Sequence, residues 1–258
     1  KSLSSIMEKL RDAKYRIGTT GTLDGTQTHK LVLEGLFGPV KKVITTKELM
    51  DSDALAQLSI DVLLLKYADE YCQQVKKLDY QGEIDFIVQH SPRNKFIRNL
   101  AIAQTGNTLI LYNYVEKHGK PLYAAIDEKL NELPRRTRQL FFVSGSVETD
   151  ERERIRAITE KEKDAIIVAS MGTFSTGINI RNLHNIIFAS PSKSQIRILQ
   201  SIGRGLRKSD DGRATKVYDI ADDLHWKKNR NYTLDHAGER IKLYASEKFN
   251  YKIFEVPL

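Results

Sequence analysis

Short, unbroken apolar runs recur along this chain, and amphipathic stretches of helical period fill the gaps between them. Val62–Leu65, Thr108–Val115, Gln139–Val143, Ala165–Ser170, Asn185–Ala189 and Lys216–Ile220 are the clearest runs. A strand that is apolar on both faces must be covered on both faces, which is the condition of a parallel sheet packed between helices. Strand, helix, strand in repetition therefore predicts a doubly wound α/β domain with a parallel sheet. Its core is expected at about residues 80–225, within the ordinary size of one domain. Helix starts are legible as well. Ser91-Pro92 reads as a cap ahead of a proline in the first turn. Ser192-Lys193-Ser194-Gln195 fits a capping box before Ile196-Arg197-Ile198-Leu199.

The front of the chain has a different pattern. A helix over Ser2–Asp12, strands at Arg16–Thr20 and Val40–Ile44, and a Gly-rich turn are too little to close a parallel sheet. Residues 1–58 are therefore expected to be the C-terminal remnant of another domain, followed by an α/β domain over 59–228. Beyond Trp226 the pattern becomes helical and mixed in charge, so 229–258 is expected to be a mostly helical extension. Tyr251–Val256 within it reads either as a terminal strand or as a docking segment.

Lys plus Arg number 41 against 33 for Asp plus Glu, a net charge of +8. That surplus favours a polyanionic partner, because each phosphate neutralised by Lys or Arg releases a counterion. Cys72 is the only cysteine, which excludes an internal disulfide, and no Cys/His cluster has zinc spacing. It is expected as a buried, apolar-like thiol. No apolar run approaches the roughly 20 residues of a membrane-spanning helix, and Lys1–Ser5 leads into no apolar signal region. These features predict a fragment of a protein from a soluble, reducing compartment.

The segment richest in chemistry is Gln200-Ser201-Ile202-Gly203-Arg204-Gly205-Leu206-Arg207. Two arginines three apart on a helix project to one side. Glycine in a helix interior costs roughly 1 kcal/mol relative to alanine. Two of them here call for a compensating close approach of the backbone to a ligand or a facing domain. Paired guanidiniums suit the spread charge of a transferring γ-phosphoryl group. The alternative is a solvated basic helix end continued by Lys208. Upstream, Ala165–Ser170 runs into Met171-Gly172-Thr173-Phe174-Ser175-Thr176-Gly177-Ile178-Asn179-Ile180, a loop dense in glycine and hydroxyls. At the carboxyl end of a parallel strand such a loop lies where α/β domains bind ligands. Its groups can hold a phosphodiester backbone without reading bases.

A strand, a Thr/Ser-Gly-Ile-Asn loop, a strand and then Gln-x-x-Gly-Arg-x-x-Arg is the order of motifs V and VI in superfamily 2 helicases, which this chain resembles. Thr108–Val115 resembles the motif IV strand, and Phe141-Phe142-Val143-Ser144-Gly145 the strand–Gly–helix unit that follows it. Thr19-Thr20-Gly21-Thr22-Leu23 resembles motif III of the first motor domain. The resemblance covers essentially the whole chain, and is to the helicases that remodel forks and recombination intermediates in bacteriophages.

The resemblance implies a RecA-like motor domain 2 and a set of roles. Arg207 is expected as the arginine finger, with Arg204 its phosphate-contacting companion. Gln200, Gly203, Asn179 and Gly177 would serve the nucleotide, Asn179 standing where relatives commonly carry Asp. Ser170, Thr173, Thr176, Ser144 and Gly145 would contact the DNA backbone. Thr20, Gly21 and Thr22 would couple hydrolysis to domain movement. ATP and Mg²⁺ are the implied cofactors, held mainly by an N-terminal motor domain ahead of this segment. Branched DNA, and an RNA–DNA hybrid as a further substrate, are the implied partners, in the cytoplasm of a host cell.

No G-x-x-x-x-G-K-[ST] occurs in the chain. Asp69-Glu70 comes after motif III, the wrong order for a Mg²⁺-holding pair, and Asp127-Glu128 reads as the solvated face of a helix. The segment alone is therefore not expected to hydrolyse ATP. Two rival readings stay open: a duplex translocase that does not separate strands, and a non-enzymatic nucleic-acid-binding α/β domain. Arg135-Arg136-Thr137-Arg138 is expected to be a solubilising basic turn. Trp226-Lys227-Lys228-Asn229-Arg230 suits either a stacking or strand-separation element or a tryptophan that packs the last helix onto the core.

Overall fold

The structure, a computed structural model, describes residues 2–10, 12–19, 27–41, 48, 58–134, 138–144, 157, 160–171, 182–192, 212–246 and 248–258. The chain divides into two compact units, Lys1–Thr45 and Thr46–Leu258.

The first unit holds helices α1 (Ser2–Lys9) and α2 (Gln27–Phe37). Gly38 ends α2 in the left-handed conformation (φ 86°), its N–H returning to the Glu34 carbonyl at 2.8 Å. Only glycine adopts that conformation without cost, so the stop is written in the sequence. Residues 15–19 form no strand, against expectation. A strand exists only as half of a pair, and the described residues of this unit offer Ile17, which is 84% exposed, no partner.

The second unit is built on a seven-stranded sheet in the order β3-β4-β2-β5-β6-β1-β7. The strands are β1 (Leu58–Lys66), β2 (Asn107–Tyr112), β3 (Leu140–Val143), β4 (Ile166–Ser170), β5 (Leu183–Phe188), β6 (Thr215–Asp223) and β7 (Asn250–Pro257). Every pairing is parallel. Helices α3 (Asp69–Val75), α4 (Tyr80–Gln89), α5 (Ser91–Ala103) and α6 (Lys120–Asn131), with a π-helical turn at Val115–Gly119, lie between β1 and β3 in sequence; α7 (Tyr232–Ser246) leads into β7. This is the α/β fold with a parallel sheet expected from the alternation of runs, and the RecA-like fold that the resemblance implies. Tyr251–Val256 is a strand, at the edge of that sheet beside β1.

Side chains alternate across each strand, and the sheet has two cores in consequence. Leu109, Leu111, Ile167, Ala169, Ile186, Phe188 and Val217 face one way with Ala237 and Tyr244 of α7. Ile110, Tyr112, Ile166, Val168, Ile187 and Ile220 face the other way, with Ile97 and Ala101 of α5 and Leu122, Ile126 and Leu130 of α6. Each of the Val, Leu, Ile and Phe side chains among them taken fully from water contributes roughly 1.5–3 kcal/mol. On α6, Glu128 is exposed as expected of the solvated face. Asp79 caps α4 by accepting from Gly82 N at 2.8 Å. The cap of α5 is His90, with Ser91 already inside the helix, one residue earlier than the sequence suggests. Cys72 is buried as expected, and burial pushes its thiol up.

Arg138 is not a solvated turn residue. It is 6% exposed and donates to the carbonyls of Ala101, Gln104 and Gly106 at 2.9–3.0 Å. The last turn of a helix leaves carbonyls without intrahelical donors, and here the guanidinium supplies them. Burial pulls Arg138 below the ordinary arginine range, opposed by Asp164 at 3.0 Å.

Candidate functional edge of the sheet

In a parallel sheet all carboxyl ends lie along one edge, where α/β folds bind ligands. Here that edge presents Ser144 after β3, Ser170 at the end of β4, Asn113 after β2, Ser190 after β5, Asp222 and Asp223 on β6 and Tyr67 after β1. Ser144 follows Val143, which pairs with Ala169, so Ser144 and Ser170 stand on neighbouring strands at the same level. Two of the expected backbone contacts are thus brought together. Ser144 is buried and Ser170 partly buried. Thr173, Thr176, Gly177 and Asn179 follow β4, and Gln200, Gly203, Arg204 and Arg207 lie between β5 and β6. They fall outside the described residues, as do Gly145, Thr20, Gly21 and Thr22.

The edge is held by polar contacts that the sequence reading did not single out. Asp219 and Asp222 sit three apart on β6 and so face opposite sides of the sheet. On one side Arg240 of α7 grips Asp219 with two bonds, Nε to Oδ2 at 2.9 Å and Nη2 to Oδ1 at 2.8 Å, and Tyr244 donates to the same carboxylate at 2.9 Å. On the other, Arg93 of α5 donates twice to Asp222 at 2.7 and 3.0 Å, and Tyr67 adds a third bond at 2.7 Å. All four charged groups are at most 1% exposed. Burial, then the adjoining carboxylate, pushes both tyrosines well above their ordinary value, so their hydroxyls remain donors. The signal for both pairs was present: carboxylates inside the apolar run Val217–Leu224 demand buried partners.

Two contacts reach the segment that leads to the paired arginines. Arg240 Nη1 lies 3.4 Å from the Ser192 carbonyl. Ser190 Oγ accepts from Asn113 N at 3.0 Å and lies 3.0 Å from His118 Nδ1. Asn94 Nδ2 is committed to the Val88 carbonyl, so its Oδ1 accepts from His118 Nε2 at 3.2 Å. The ring therefore carries its proton on Nε2, and the Ser190 hydroxyl donates to Nδ1. Burial, with Arg93 adding repulsion, takes His118 down to about 3. It is a neutral bridge between α5, the π-helical turn and the end of β5, not a charge.

A RecA-like sheet whose carboxyl-end strands are followed in sequence by Thr-Gly-Ile-Asn and Gln-Ser-Ile-Gly-Arg-Gly-Leu-Arg is similar to the helicases of superfamily 2. Residues 92–209 match the helicase conserved C-terminal domain. Over its full length the chain is 35% identical to the ATP-dependent DNA helicase uvsW of Enterobacteria phage T4, of which it spans 52%. The crystal structure of T4 UvsW superposes with a TM-score of 0.66 at 36% identity, covering 86% of this chain and 44% of that one. The type ISP restriction-modification enzyme LlaBIII shares the fold, with a TM-score of 0.55 at 16% identity, over 87% of this chain and 17% of that one. The chain thus spans about half the length of the relative it matches along its whole length.

Proposed function

We propose that this chain is the rear part of an ATP-dependent DNA helicase that unwinds or branch-migrates forks, junctions and R-loops. The observation that carries the reading is the order of two segments. The Thr/Ser-Gly-Ile-Asn loop leaves the carboxyl end of β4, and the Gln-x-x-Gly-Arg-x-x-Arg segment follows the carboxyl end of β5, on one edge of one parallel sheet. In this reading Arg207 reaches the γ-phosphate of ATP seated on the preceding motor domain, and Arg204 contacts the phosphates beside it. Gln200, Gly203, Asn179 and Gly177 line the nucleotide side. Ser170, Thr173, Thr176, Ser144 and Gly145 hold the DNA backbone, and Thr20, Gly21 and Thr22 couple the two domains.

The chain's own residues fit the guanidinium half of such a site. It has no P-loop lysine, and no group of carboxylates able to hold a metal occurs among the described residues. ATP and Mg²⁺ would accordingly be held by the preceding domain, of which the first unit, Lys1–Thr45, is the end in this reading. Leu3, Ile6, Leu31 and Val32, all exposed, support that assignment, since they are apolar surface that a larger domain would cover.

The test is Arg207→Ala in the intact protein. An arginine finger is worth roughly 10³–10⁵ in turnover, so ATP hydrolysis should fall on that scale while DNA affinity and its salt dependence stay near normal. Loss of DNA binding and of its salt slope instead would place the arginines on DNA, as a non-enzymatic binding domain requires. Strand displacement on forked against blunt substrates separates a helicase from a duplex translocase.

A further inference from the structure

At the end of the edge remote from Ser144 and Ser170, the chain leaves β6 into a tight turn. Trp226 N donates to the Asn229 carbonyl at 2.9 Å and Asn229 N donates back to the Trp226 carbonyl at 3.0 Å, which closes a two-residue loop with Lys227 and Lys228 at its tip. Lys227 takes φ 54°, the left-handed region that favours glycine. A lysine kept there costs backbone energy, and such strain gathers where a side chain is used. Both lysines are exposed, and neither has an ion-pair partner among the described residues. Arg230 is instead tied to Asp235 of α7 at 3.1 Å, which fixes where the turn leaves.

Beneath the turn is a half-open pocket of about 170 Å³, lined by Lys66, Tyr67, Asp69, Asp223, Trp226 and Lys227 among others. Trp226 packs one part of its ring on the core and leaves the rest lining this space. Lys227 Nζ stands 5.7 Å from the ring centroid. Small-molecule sites run to about 300–1,000 Å³, so the pocket is too small to enclose a whole nucleotide. Its charges also decide an orientation. Asp223 is occupied by Lys66 at 2.6 Å and by His225, and with Asp69 it makes the floor unfavourable to phosphate. The phosphate-binding charge is at the rim and the tip, Lys227 beside the Trp226 ring and Lys228 on the outside of the turn. A planar base can enter over Trp226 while its phosphates run outside along Lys227 and Lys228.

We propose that the Trp226–Arg230 turn and the pocket below it hold one nucleotide of a single nucleic-acid strand, the base stacked on Trp226 and the flanking phosphates on Lys227 and Lys228. The contact is made by residues other than the proposed backbone contacts Ser144 and Ser170. Adjacent strands are about 4.8 Å apart, and β6 is four strand steps from β3, which Ser144 follows, and three from β4, which Ser170 ends. The turn, which leaves β6, therefore lies roughly 14–19 Å along the edge from Ser170 and Ser144 by the same spacing and lengthens the strand's track across it. The inference rests on the reading of this protein as a nucleic-acid motor. Base–aromatic stacking with a cationic rim is how such proteins hold single strands without reading sequence.

Trp226 is the only tryptophan of the chain, so its fluorescence reports this site alone. The 258-residue chain is titrated with a labelled oligothymidylate, with anisotropy followed for binding and tryptophan emission for the site. Binding should quench Trp226. Trp226→Leu, which keeps the packing, should weaken binding about 5- to 150-fold. Lys227→Gly combined with Lys228→Ala should make the slope of log affinity against log salt shallower by about 1.4. That variant relieves the left-handed residue, so a misfolded protein is not the expected outcome, and thermal unfolding checks it. Binding without quenching, with an unchanged slope in the variant, overturns the site and leaves the motor reading intact. Quenching by ADP but not by the oligonucleotide assigns the pocket to free nucleotide and overturns the proposal. An oligonucleotide that binds neither this chain nor the intact protein overturns both readings.

Discussion

Asp219 and Asp222 make β6 the strand on which both layers of helices are fastened, one through Arg240 and Tyr244, the other through Arg93 and Tyr67. Losing one member of a buried pair strands the other charge in a medium that cannot solvate it, at a cost of roughly 3–5 kcal/mol. Arg240→Met is therefore expected to lower the unfolding free energy measured in urea by that amount, and Arg240→Met with Asp219→Leu to recover much of it. A double variant no more stable than the single one would show that the pair contributes more than mutual neutralisation. His118 gives a second prediction at this scale. Its folded value, about 3, lies below the ordinary 6.5, so the unfolded chain binds the proton first as pH falls. Its contribution is complete above about 6.5 and is lost toward 3, at a slope near 1.4 kcal/mol per pH unit. His90, also lowered chiefly by burial, acts with the same sign. Stability measured from pH 7 to 4 should fall less steeply in His118→Gln than in the parent. Equal slopes would remove His118 from the account.

At the level of elements, the runs that defined the fold in sequence did so because they are short, rich in Val, Ile and Phe, and separated by amphipathic stretches, as strands buried on both faces are. Thr108–Val115 became β2 and Ala165–Ser170 became β4, each within a few residues. Arg16–Thr20 reads the same way locally but is no strand at Ile17–Thr19, because pairing is a property of the partner and not of the run. The site divides similarly. Motif segments were legible as spacing, whereas Arg93, Arg138 and Arg240 were hidden, since a long cationic side chain looks the same in sequence whether it meets solvent or a buried acceptor. The π-helical turn at Val115–Gly119 had no sequence signal, yet it sets Gly119 against the face of Tyr112. A Cβ added at Gly119 would come within 2.5 Å of that ring, and Tyr112 is itself fixed by its bond to the Val143 carbonyl and its stacking on Phe142. Gly119→Ala should cost about 1–3 kcal/mol by overpacking, readable in the unfolding midpoint. Tyr112→Leu in the same background should relieve part of that cost. A neutral Gly119→Ala would mean that the turn yields freely.

Across the whole second unit, β1 is the first strand in sequence yet pairs with the last two, β6 and β7. The sheet therefore closes only when residues about 160–190 positions apart meet, and the chain's last strand becomes the guard of an interior one. β1 alternates fully and partly buried residues except at Val62 and Leu63, which are both buried, and on its outer side it is covered by β7 alone. Register runs from Ser59 opposite Asn250 to Lys66 opposite Pro257, and the final amide, Leu258 N, still donates to the Lys66 carbonyl at 3.0 Å. β7 is itself mostly exposed and carries Lys252 and Glu255, charges of the kind that keep an edge from recruiting another sheet. Deleting Asn250–Leu258 would replace this charged edge with the apolar Ile60–Leu65 run and its unpaired backbone groups. The truncated chain is expected to associate through that edge, seen as a concentration-dependent rise in mass by light scattering, and to unfold at lower urea. A second variant makes the cause visible: the same deletion with Leu64→Lys should stay closer to monomeric at a similar loss of stability, because a lysine on an exposed edge blocks pairing without restoring the lost strand. A truncated chain that remained monomeric and as stable as the parent would show that β6 and the helices suffice to hold β1, and that the sheet ends, in energy, one strand before it ends in space.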